Sequence, residues 1–250
     1  MCDNKFCISF QTSAYDYLSF AQEITFAIEH NVPAFEIFFD GWMPNDITKT
    51  ERDLLKQAAA NRMKFSVHSP LRDYLTEQDI KDIMPVITFC REWKACLMTV
   101  HFDRLAPDMI PLLSSALGDV KLSIENTIPD ENVVTGEHYP EYMRKNITKY
   151  NIYATADIGH AVVNGYDPIK FVGNLLNDNI PIDCFHIHNN DGQHDLHNDI
   201  TNGVIDYNKV LTFVFEHNIF SHFVTEHWGG NVKSADFFTQ ILQKWENRKF

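Results

Sequence analysis

Short apolar runs alternate with longer amphipathic segments along the whole chain. Eight runs have the length of a β-strand and are rich in β-branched or aromatic residues: 5–10, 34–39, 64–68, 96–101, 121–125, 152–157, 183–188 and 222–226. The segments between and after them repeat their apolar residues at a helical period: 17–30, 48–61, 76–93, 106–117, 137–149, 167–177, 207–217 and 234–248. Eight strands that are each followed by a helix predict a (β/α)₈ TIM barrel.

Several of the predicted helices begin at residues that cap helices. Thr48 with Glu51 has the spacing of a capping box, and Thr76 starts a second helix in the same way. Pro85 lies inside that second segment, so we expect it to kink or split the helix. These start signals support the division of the chain into strand and helix units.

A doubly wound open sheet is the alternative for a chain of alternating strands and helices. Its usual marker is a glycine-rich phosphate-binding turn, and neither GxGxxG nor GxxxxGK[ST] occurs in the sequence. The length of 250 residues is ordinary for a one-domain barrel, and no linker or internal repeat interrupts the pattern. We therefore predict one TIM barrel domain over residues 1–250.

The composition and net charge indicate which binding partners are disfavoured and which cellular compartment to expect. The chain has 21 basic and 34 acidic residues, and its net charge of −13 repels nucleic-acid backbones and anionic membranes. The five cysteines form no CxxC pair, which is typical of reduced thiols in a cytoplasmic protein. The sequence shows neither a signal-peptide core nor an apolar run near the roughly 18 residues of a membrane span. We expect a cytoplasmic protein that acts on a small molecule.

Ionisable side chains lie at the carboxyl ends of seven of the eight predicted strands. Active sites of TIM barrels lie at these strand ends. The residues are Glu36, His68, His101, Glu125, Asp157, His186 and Glu226. Burying so many ionisable groups together is costly unless a cation compensates them. Carboxylates and neutral imidazoles are ligands of divalent metals, so the pattern predicts a metal site at the mouth of the barrel.

Three further ligand candidates follow at short range along the chain. His160 comes three residues after Asp157, and Asp195 and His197 lie in the loop after the seventh strand. Five residues are assigned to substrate binding: Glu36, Trp42, Arg72, Arg104 and His188. For His188, which shares the strand alternation of His186, a structural or substrate role is as well supported as metal ligation.

Five short motifs resemble those of the xylose isomerase-like barrel superfamily, which includes endonuclease IV, ketohexose 3-epimerases and sugar phosphate isomerases. The motifs are SIEN at 123–126, DIGHA at 157–161, HIHNNDG at 186–192, DLH at 195–197 and TEH at 225–227. The resemblance extends over nearly the whole chain, from FEIFFD at 34–39 to FVTEHW at 223–228.

Resemblance to endonuclease IV implies sites for two or three zinc ions. That enzyme binds three zinc ions through nine side chains, and residues of the same types occur here in the same order. They are His68, His101, Glu125, Asp157, His160, His186, Asp195, His197 and Glu226.

Resemblance to the epimerases implies a single divalent ion held by two glutamates, an aspartate and a histidine. These would be Glu125, Asp157, His186 and Glu226, with the two glutamates as the catalytic acid–base pair. His160 would match a histidine that contacts substrate. The sequence departs from this pattern at 191–193, where Asp-Gly-Gln stands in place of an expected arginine.

The sequence favours a metal-dependent sugar or sugar phosphate isomerase or epimerase. A glutamate would remove the proton next to a carbonyl, and the metal would stabilise the enediolate. The alternative is an endonuclease IV-like multinuclear zinc phosphodiesterase or phosphoesterase, and the third reading is a non-catalytic metal-binding barrel. One to three ions of Zn²⁺ or Mn²⁺ are expected, and a homo-oligomer is compatible with the superfamily.

Overall fold

The computed structural model describes residues 7–12, 19–219 and 221–227, together with residues 240 and 243. All eight predicted strands are present, with ends displaced by at most two residues from the predicted ones. The strands are β1 Cys7–Phe10, β2 Ala34–Phe38, β3 Lys64–His68, β4 Leu97–His101, β5 Lys121–Glu125, β6 Ile152–Asp157, β7 Ile182–Ile187 and β8 His222–Thr225.

The strands form one parallel sheet that curls into a nearly closed barrel. Neighbours follow the order β1, β8, β7, β6, β5, β4, β3, β2, and every pairing is parallel. The remaining seam, between β1 and β2, carries a parallel bridge between Gln11 and Glu36. There the amide of Thr12 also donates to the carbonyl of Glu36 at 2.8 Å. The predicted (β/α)₈ barrel is confirmed.

Helices follow the strands and pack around the outside of the barrel. They are α1 Phe20–Glu29, α2 Lys49–Ala60, α3 Glu77–Asp82, α4 Met84–Glu92, α5 Ile110–Leu117, α6 Tyr139–Ile147, α7 Ile158–Val163, α8 Pro168–Asn177 and α9 Tyr207–Glu216. The predicted segment 76–93 is split at Ile83 into α3 and α4, with Pro85 in the first turn of α4. The short helix α7 was not predicted, and the helix predicted at 234–248 lies outside the described residues except for positions 240 and 243.

The predicted caps are present at the starts of α2 and α3. The Thr48 hydroxyl accepts from the Glu51 amide at 3.3 Å, and the Glu51 carboxylate accepts from the Thr48 amide at 2.8 Å. Thr76 and Asp79 form the same reciprocal pair at α3. Each such cap contributes about 1 kcal/mol, which fixes where each helix starts relative to the strand before it.

The period-2 alternation of the strands sorts side chains between the barrel interior and the helices. Most apolar residues face the helices, whereas small polar residues fill the interior beneath the mouth together with Leu97, Cys184 and Val224, which form a small cluster of their own. In that interior layer the Thr155 hydroxyl contacts those of Thr99 and Ser123 at 3.2 and 2.6 Å. These small side chains lie two residues before larger ionisable ones, so the alternation directs the imidazoles and carboxylates to the mouth.

None of the helices within the described residues is long and apolar enough to cross a membrane.

Candidate metal centre

Carboxylates and an imidazole from four neighbouring strands converge at the centre of the mouth. We name this group the inner cluster: Glu125, Asp157, His186 and Glu226, each offering a ligand atom within 4.8 Å of the others. All four side chains are buried. His186 Nδ1 lies 2.8 Å from Glu226 Oε1 and 3.3 Å from Glu125 Oε1. Because β5 to β8 are adjacent in the sheet, their ends place these groups around one point.

A second group adjoins the inner cluster through Glu125. This side cluster consists of His68, His101 and Glu125, again with ligand atoms within 4.8 Å. Oε2 of Glu125 lies 3.1 Å from Nε2 of His68 and 3.5 Å from Nε2 of His101. Glu125 therefore faces two neighbouring groups of ligands with its two oxygens.

A third group, the outer cluster, lies where α7 and the loop after β7 meet. It consists of His160, His188, Asp195 and His197, with ligand atoms within 4.8 Å of one another. Oδ2 of Asp195 lies 3.1 Å from His197 Nε2 and 3.3 Å from His160 Nε2. The nine residues predicted as ligands are thus brought together in three adjoining clusters, and their role as ligands stays a prediction.

The abrupt passage from β6 into α7 positions Asp157 and His160. Asp157 is the N-cap of α7, and its side chain accepts from the His160 amide at 2.6 Å. Asn126, which directly follows β5, donates to the Asp157 carbonyl and accepts from the Asp157 amide, both at 2.8 Å. Sequence reasoning did not single out Asn126, although its place next to Glu125 in the SIEN motif was a signal.

Three histidines are each anchored by a backbone carbonyl. Nδ1 of His68 donates to Ser69 at 2.8 Å, that of His160 donates to Asn126 at 2.9 Å, and that of His197 donates to Glu226 at 2.7 Å. Because a carbonyl can only accept, Nδ1 carries the hydrogen, and in the neutral ring Nε2 presents a lone pair. A carbonyl that fixes the tautomer in this way is the usual companion of a metal-bound histidine.

The electrostatic balance of the mouth keeps its carboxylates ionised. Burial alone would raise the pKa of Glu125, but the charge of His186 and hydrogen bonds from His160 and His186 hold it well below its usual value. Burial likewise opposes ionisation of Asp195, but hydrogen bonds from His160 and His197 hold its pKa below the ordinary range.

The histidines of the mouth differ in charge state. Burial is the main cause that lowers the pKa of His101 to about 3, so this ring is neutral at neutral pH. The pKa of His197 is raised to about 9, because the Asp195 carboxylate outweighs the opposing effect of burial.

The donor set fits a divalent cation. Both ring nitrogens of His186 and of His188, and Oδ2 of Asp157, are buried without a hydrogen-bond partner among the described residues. Buried polar atoms are rarely left in this state in folded proteins. Wherever an imidazole lone pair faces a carboxylate oxygen, a proton or a metal ion must lie between them. Imidazoles and carboxylates are the ligands that Zn²⁺ and Mn²⁺ take in proteins.

Glu36, predicted to bind substrate, lies beneath the mouth. Its side chain is fully buried, and Oε1 accepts from Gln11 Nε2 at 3.1 Å and contacts His186 Nε2 at 3.2 Å. Cys184 forms a further compact group with Glu36 and His186. Sequence reasoning missed Gln11 and Cys184. The strand alternation that joins Cys184 to His186 was sufficient to find the cysteine.

Trp42 packs into the wall of the barrel. Its Nε1 donates to the carbonyl of Phe38 at 2.9 Å, and its ring lies 5.0 Å from that of Phe20 and 4.7 Å from that of Phe39. The structure therefore gives Trp42 a packing role, and its predicted contact with substrate is not tested.

The two predicted substrate arginines are held in ion pairs outside the clusters. Arg72 lies 3.0 Å from Asp82 and 3.6 Å from Asp79, and Arg104 lies 3.3 Å from Asp73. Acidic side chains of α3 and of the loop after β3 therefore partly compensate the positive charge of these arginines. The remaining substrate candidate, His188, is placed instead in the outer cluster.

The chain is thus a parallel eight-stranded TIM barrel with candidate metal-ligand clusters of imidazoles and carboxylates at its strand ends. The chain belongs to the xylose isomerase-like TIM barrel family, whose sequence profile matches residues 24–245. A comparison with curated proteins found no match.

Several solved structures share the fold. A D-tagatose 3-epimerase-like protein has 21% identity and a TM-score of 0.74, over 98% of this chain and 100% of that chain. Endonuclease IV from Thermus thermophilus has 17% identity and a TM-score of 0.67, over 95% and 99%. The 3-keto-D-glucoside 4-epimerase from E. coli has 14% identity and a TM-score of 0.63, over 97% and 99%. Identities this low establish a common fold alone.

Proposed function

We propose that the protein is a metal-dependent isomerase or epimerase of a sugar or sugar phosphate. The observation that carries this proposal is the inner cluster, where Glu125 and Glu226 meet at one point from β5 and from the end of β8. Two strands lie between these glutamates in the sheet. Two carboxylates that approach one position from different sides suit proton removal and proton return at a single carbon.

Glu125, Asp157, His186 and Glu226 would hold the ion of this reaction. Three carboxylates and one imidazole accept either Zn²⁺ or Mn²⁺. A divalent ion bound there supplies Lewis-acid polarisation of a substrate carbonyl. The protein must keep these four side chains in place. Asn126 holds the backbone of Asp157 through its hydrogen bonds to the carbonyl and the amide, and the Gln11 side chain holds the carboxylate of Glu226.

In this proposal the two glutamates remove and deliver the transferred proton. Glu125 is ionised at neutral pH because the neighbouring imidazoles lower its pKa, so it can accept a proton from carbon. Glu226 is held by the Gln11 side chain and by His186, at the end of the last strand of the barrel. One glutamate would remove the proton next to the carbonyl, and the other would deliver a proton to the adjacent position or to the opposite face.

An endonuclease IV-like phosphodiesterase is the second candidate, favoured by the presence of three adjoining clusters rather than one. Such an enzyme must neutralise phosphates with basic side chains. The chain has a net charge of −13, and the arginines that follow β3 and β4 are ion-paired. These charges support a small-molecule substrate over nucleic acid. A cytoplasmic location, also proposed, is in keeping with the free thiols of Cys90 and Cys184.

Proton exchange in D₂O tests the proposal directly. Protein loaded with Mn²⁺ or Zn²⁺ is incubated with ketoses, aldoses and their phosphates, and the proton next to the carbonyl is followed by NMR. We expect exchange with at least one sugar, and a loss of about 100-fold or more in Glu226→Gln. Glu29→Gln, on the exposed end of α1, is the matched control and should exchange like the wild type.

The opposite results separate the other candidates. Absence of exchange over the whole panel with metal-loaded protein, or undiminished exchange in Glu226→Gln, would refute the proposed chemistry. Nicking of an abasic duplex at low salt would support the phosphodiesterase. Bound metal with neither activity would leave a non-catalytic metal-binding barrel.

A further inference from the structure

Glu36 is a buried carboxylate to which the proposed function gives no part. Its side chain is fully buried beneath the mouth, so it presents no surface to a substrate that enters from solvent. A buried carboxylate is costly unless donors or cations pair with it. The groups around Glu36 therefore indicate what it does. They include the Gln11 amide, 3.1 Å from Oε1, and the His186 ring, 3.2 Å from the same oxygen.

The His186 ring lies between Glu36 and the inner cluster. Its Nδ1 is 2.8 Å from Oε1 of Glu226 and 3.3 Å from Oε1 of Glu125. Its Nε2 is 3.2 Å from Oε1 of Glu36. Because the two ring nitrogens point in different directions, one ion cannot bind both of them. Each nitrogen therefore pairs with a different group of carboxylates.

The ligand sets on the two sides of the ring differ in size. On the Nδ1 side, the inner cluster offers one ligand atom from each of four residues. On the Nε2 side, Glu36 and Cys184 complete a group of three with His186 among the described residues. The larger, carboxylate-rich set suits a divalent ion better. Nε2 then keeps its hydrogen, and a metal-bound histidine almost always donates that hydrogen to a carboxylate, a carbonyl or water.

Glu36 is placed to accept the Nε2 hydrogen. The Gln11 amide nitrogen donates both to Oε1 of Glu36 and to the carboxylate of Glu226, which fixes Glu36 relative to the inner cluster. Oε2 of Glu36 and Nε2 of His186 are both buried without a hydrogen-bond partner in the part of the chain that the structure describes. A donor and an acceptor that lack partners thus lie side by side, and a rotation of the ring on metal binding would join them.

We propose that Glu36 is a positioning residue for His186. Its carboxylate accepts the Nε2 hydrogen, fixes the tautomer of the ring and directs Nδ1 to the ion of the inner cluster. A carboxylate in this place also makes the imidazole a stronger ligand. The inference rests on the proposed function, because it takes the inner cluster as the site of the catalytic ion.

The competing explanation is that Glu36 only helps to close the barrel. Gln11 and Glu36 form the bridge between β1 and β2, so the carboxylate could serve this seam alone. In that case its replacement would lower the thermal stability of the metal-free protein and leave the ring nitrogens of His186 unaffected. The two roles therefore differ in the spectrum of one histidine.

The test is long-range ¹H–¹⁵N NMR of the full chain, labelled with ¹⁵N and loaded with Zn²⁺. The signals of His186 are identified by their loss in His186→Gln. In the wild type we expect Nδ1 to show the shift of a metal-bound nitrogen. Nε2 should carry a slowly exchanging hydrogen that resonates far downfield, because a carboxylate accepts it.

Glu36→Gln keeps the shape of the side chain and removes its charge. A charge-assisted hydrogen bond is roughly twice as strong as a neutral one, so the Nε2 hydrogen should move upfield and exchange faster in this variant. Glu23→Gln is the matched control. Glu23 is also a buried carboxylate, but it lies in α1 on the outside of the barrel and belongs to none of the three clusters. Its replacement should leave the His186 signals unchanged.

Zinc bound to Nε2 of His186, or no zinc bound to this ring, would overturn the inference. Unchanged His186 signals in Glu36→Gln would also overturn it and leave Glu36 a closing residue of the barrel. The wild-type spectrum identifies the bound nitrogen even if the variant does not fold. Failure of proton exchange in a protein that binds zinc through Nδ1 would refute the proposed function alone, and exchange with zinc on Nε2 would refute this inference alone.

Discussion

Gly159 is the position where the packing against His188 can be tested by a single methyl group. The residue lies in α7, immediately before His160. In Gly159→Ala the new Cβ would lie 2.1 Å from Cε1, 2.3 Å from Nε2 and 2.6 Å from Nδ1 of His188. The conflict is with the ring itself, which is fully buried and cannot swing into solvent.

The size of the effect follows from the displacement that the methyl group forces. Carbon atoms pack best at about 3.5–4.0 Å, so the His188 ring must move by at least about 1.4 Å. Overpacking of a core costs about 1–3 kcal/mol, and the better helix propensity of alanine offsets about 0.5–1 kcal/mol of this. The net loss is then about 1 kcal/mol at the centre of these ranges and about 2.5 kcal/mol at most, and for a chain of this length each 1 kcal/mol lowers the Tm by about 2–4 °C.

Thermal unfolding of metal-free protein measures this packing cost, and chelator competition then measures the effect on zinc affinity. Gly173→Ala is the matched control, because that glycine also lies in a helix, α8, and its Cβ would meet only Phe213 Cζ at an ordinary 3.7 Å. We expect this control to keep or raise the Tm by helix propensity. A Gly159→Ala protein as stable as the wild type, with the same zinc release, would show that the ring is not held as described.

Further predictions concern three other side chains. Glu36→Gln removes the negative charge beside Nε2 of His186 and should weaken metal binding at the inner cluster by about 10–100-fold. An unchanged metal affinity in chelator competition would show that Glu36 does not orient His186. Asp79→Asn should cost about 0.5–1 kcal/mol at neutral pH. The Thr76 hydroxyl, which caps α3, lowers the pKa of Asp79 from its ordinary value of 3.8. The stabilisation by Asp79 is therefore present above pH 3.8 and is lost as the pH falls through the lowered pKa. An equal difference in urea midpoint between the wild type and Asp79→Asn at neutral and at acidic pH would contradict this explanation. Asn126→Asp removes the donor to the buried Asp157 carbonyl and should cost about 1–3 kcal/mol in the same assay, and a smaller change would show that another donor replaces it.

The barrel and the mouth residues could be predicted from the sequence because both depend on local periodicity. A strand of period 2 places Cys184, His186 and His188 on one face, whatever the rest of the chain does. The parallel arrangement then brings the ends of all strands to one rim. For this reason the nine predicted ligands were found together once the strands were located correctly.

The remaining features depend on contacts between distant segments, which periodicity does not report. The placement of His188 depends on the absence of a side chain at Gly159, and that of Glu36 depends on Gln11, which directly follows β1. The helix α7 has six residues and lies within a motif that looks like a loop. Arg72 was expected at the substrate because it follows the third strand, and its acidic partners on α3 cannot be identified from strand patterns.

The seam between the first two strands also has a consequence for motion. Gln11 bridges Glu36 across it and holds the carboxylate of Glu226, while the Thr12 hydroxyl accepts from the Phe38 amide at 3.0 Å. The contacts that close the barrel between β1 and β2 therefore share Gln11 with the inner cluster. Metal binding at the inner cluster should stabilise this closure, so deuterium uptake at the amides of Thr12 and Phe38 should slow when zinc or manganese is added.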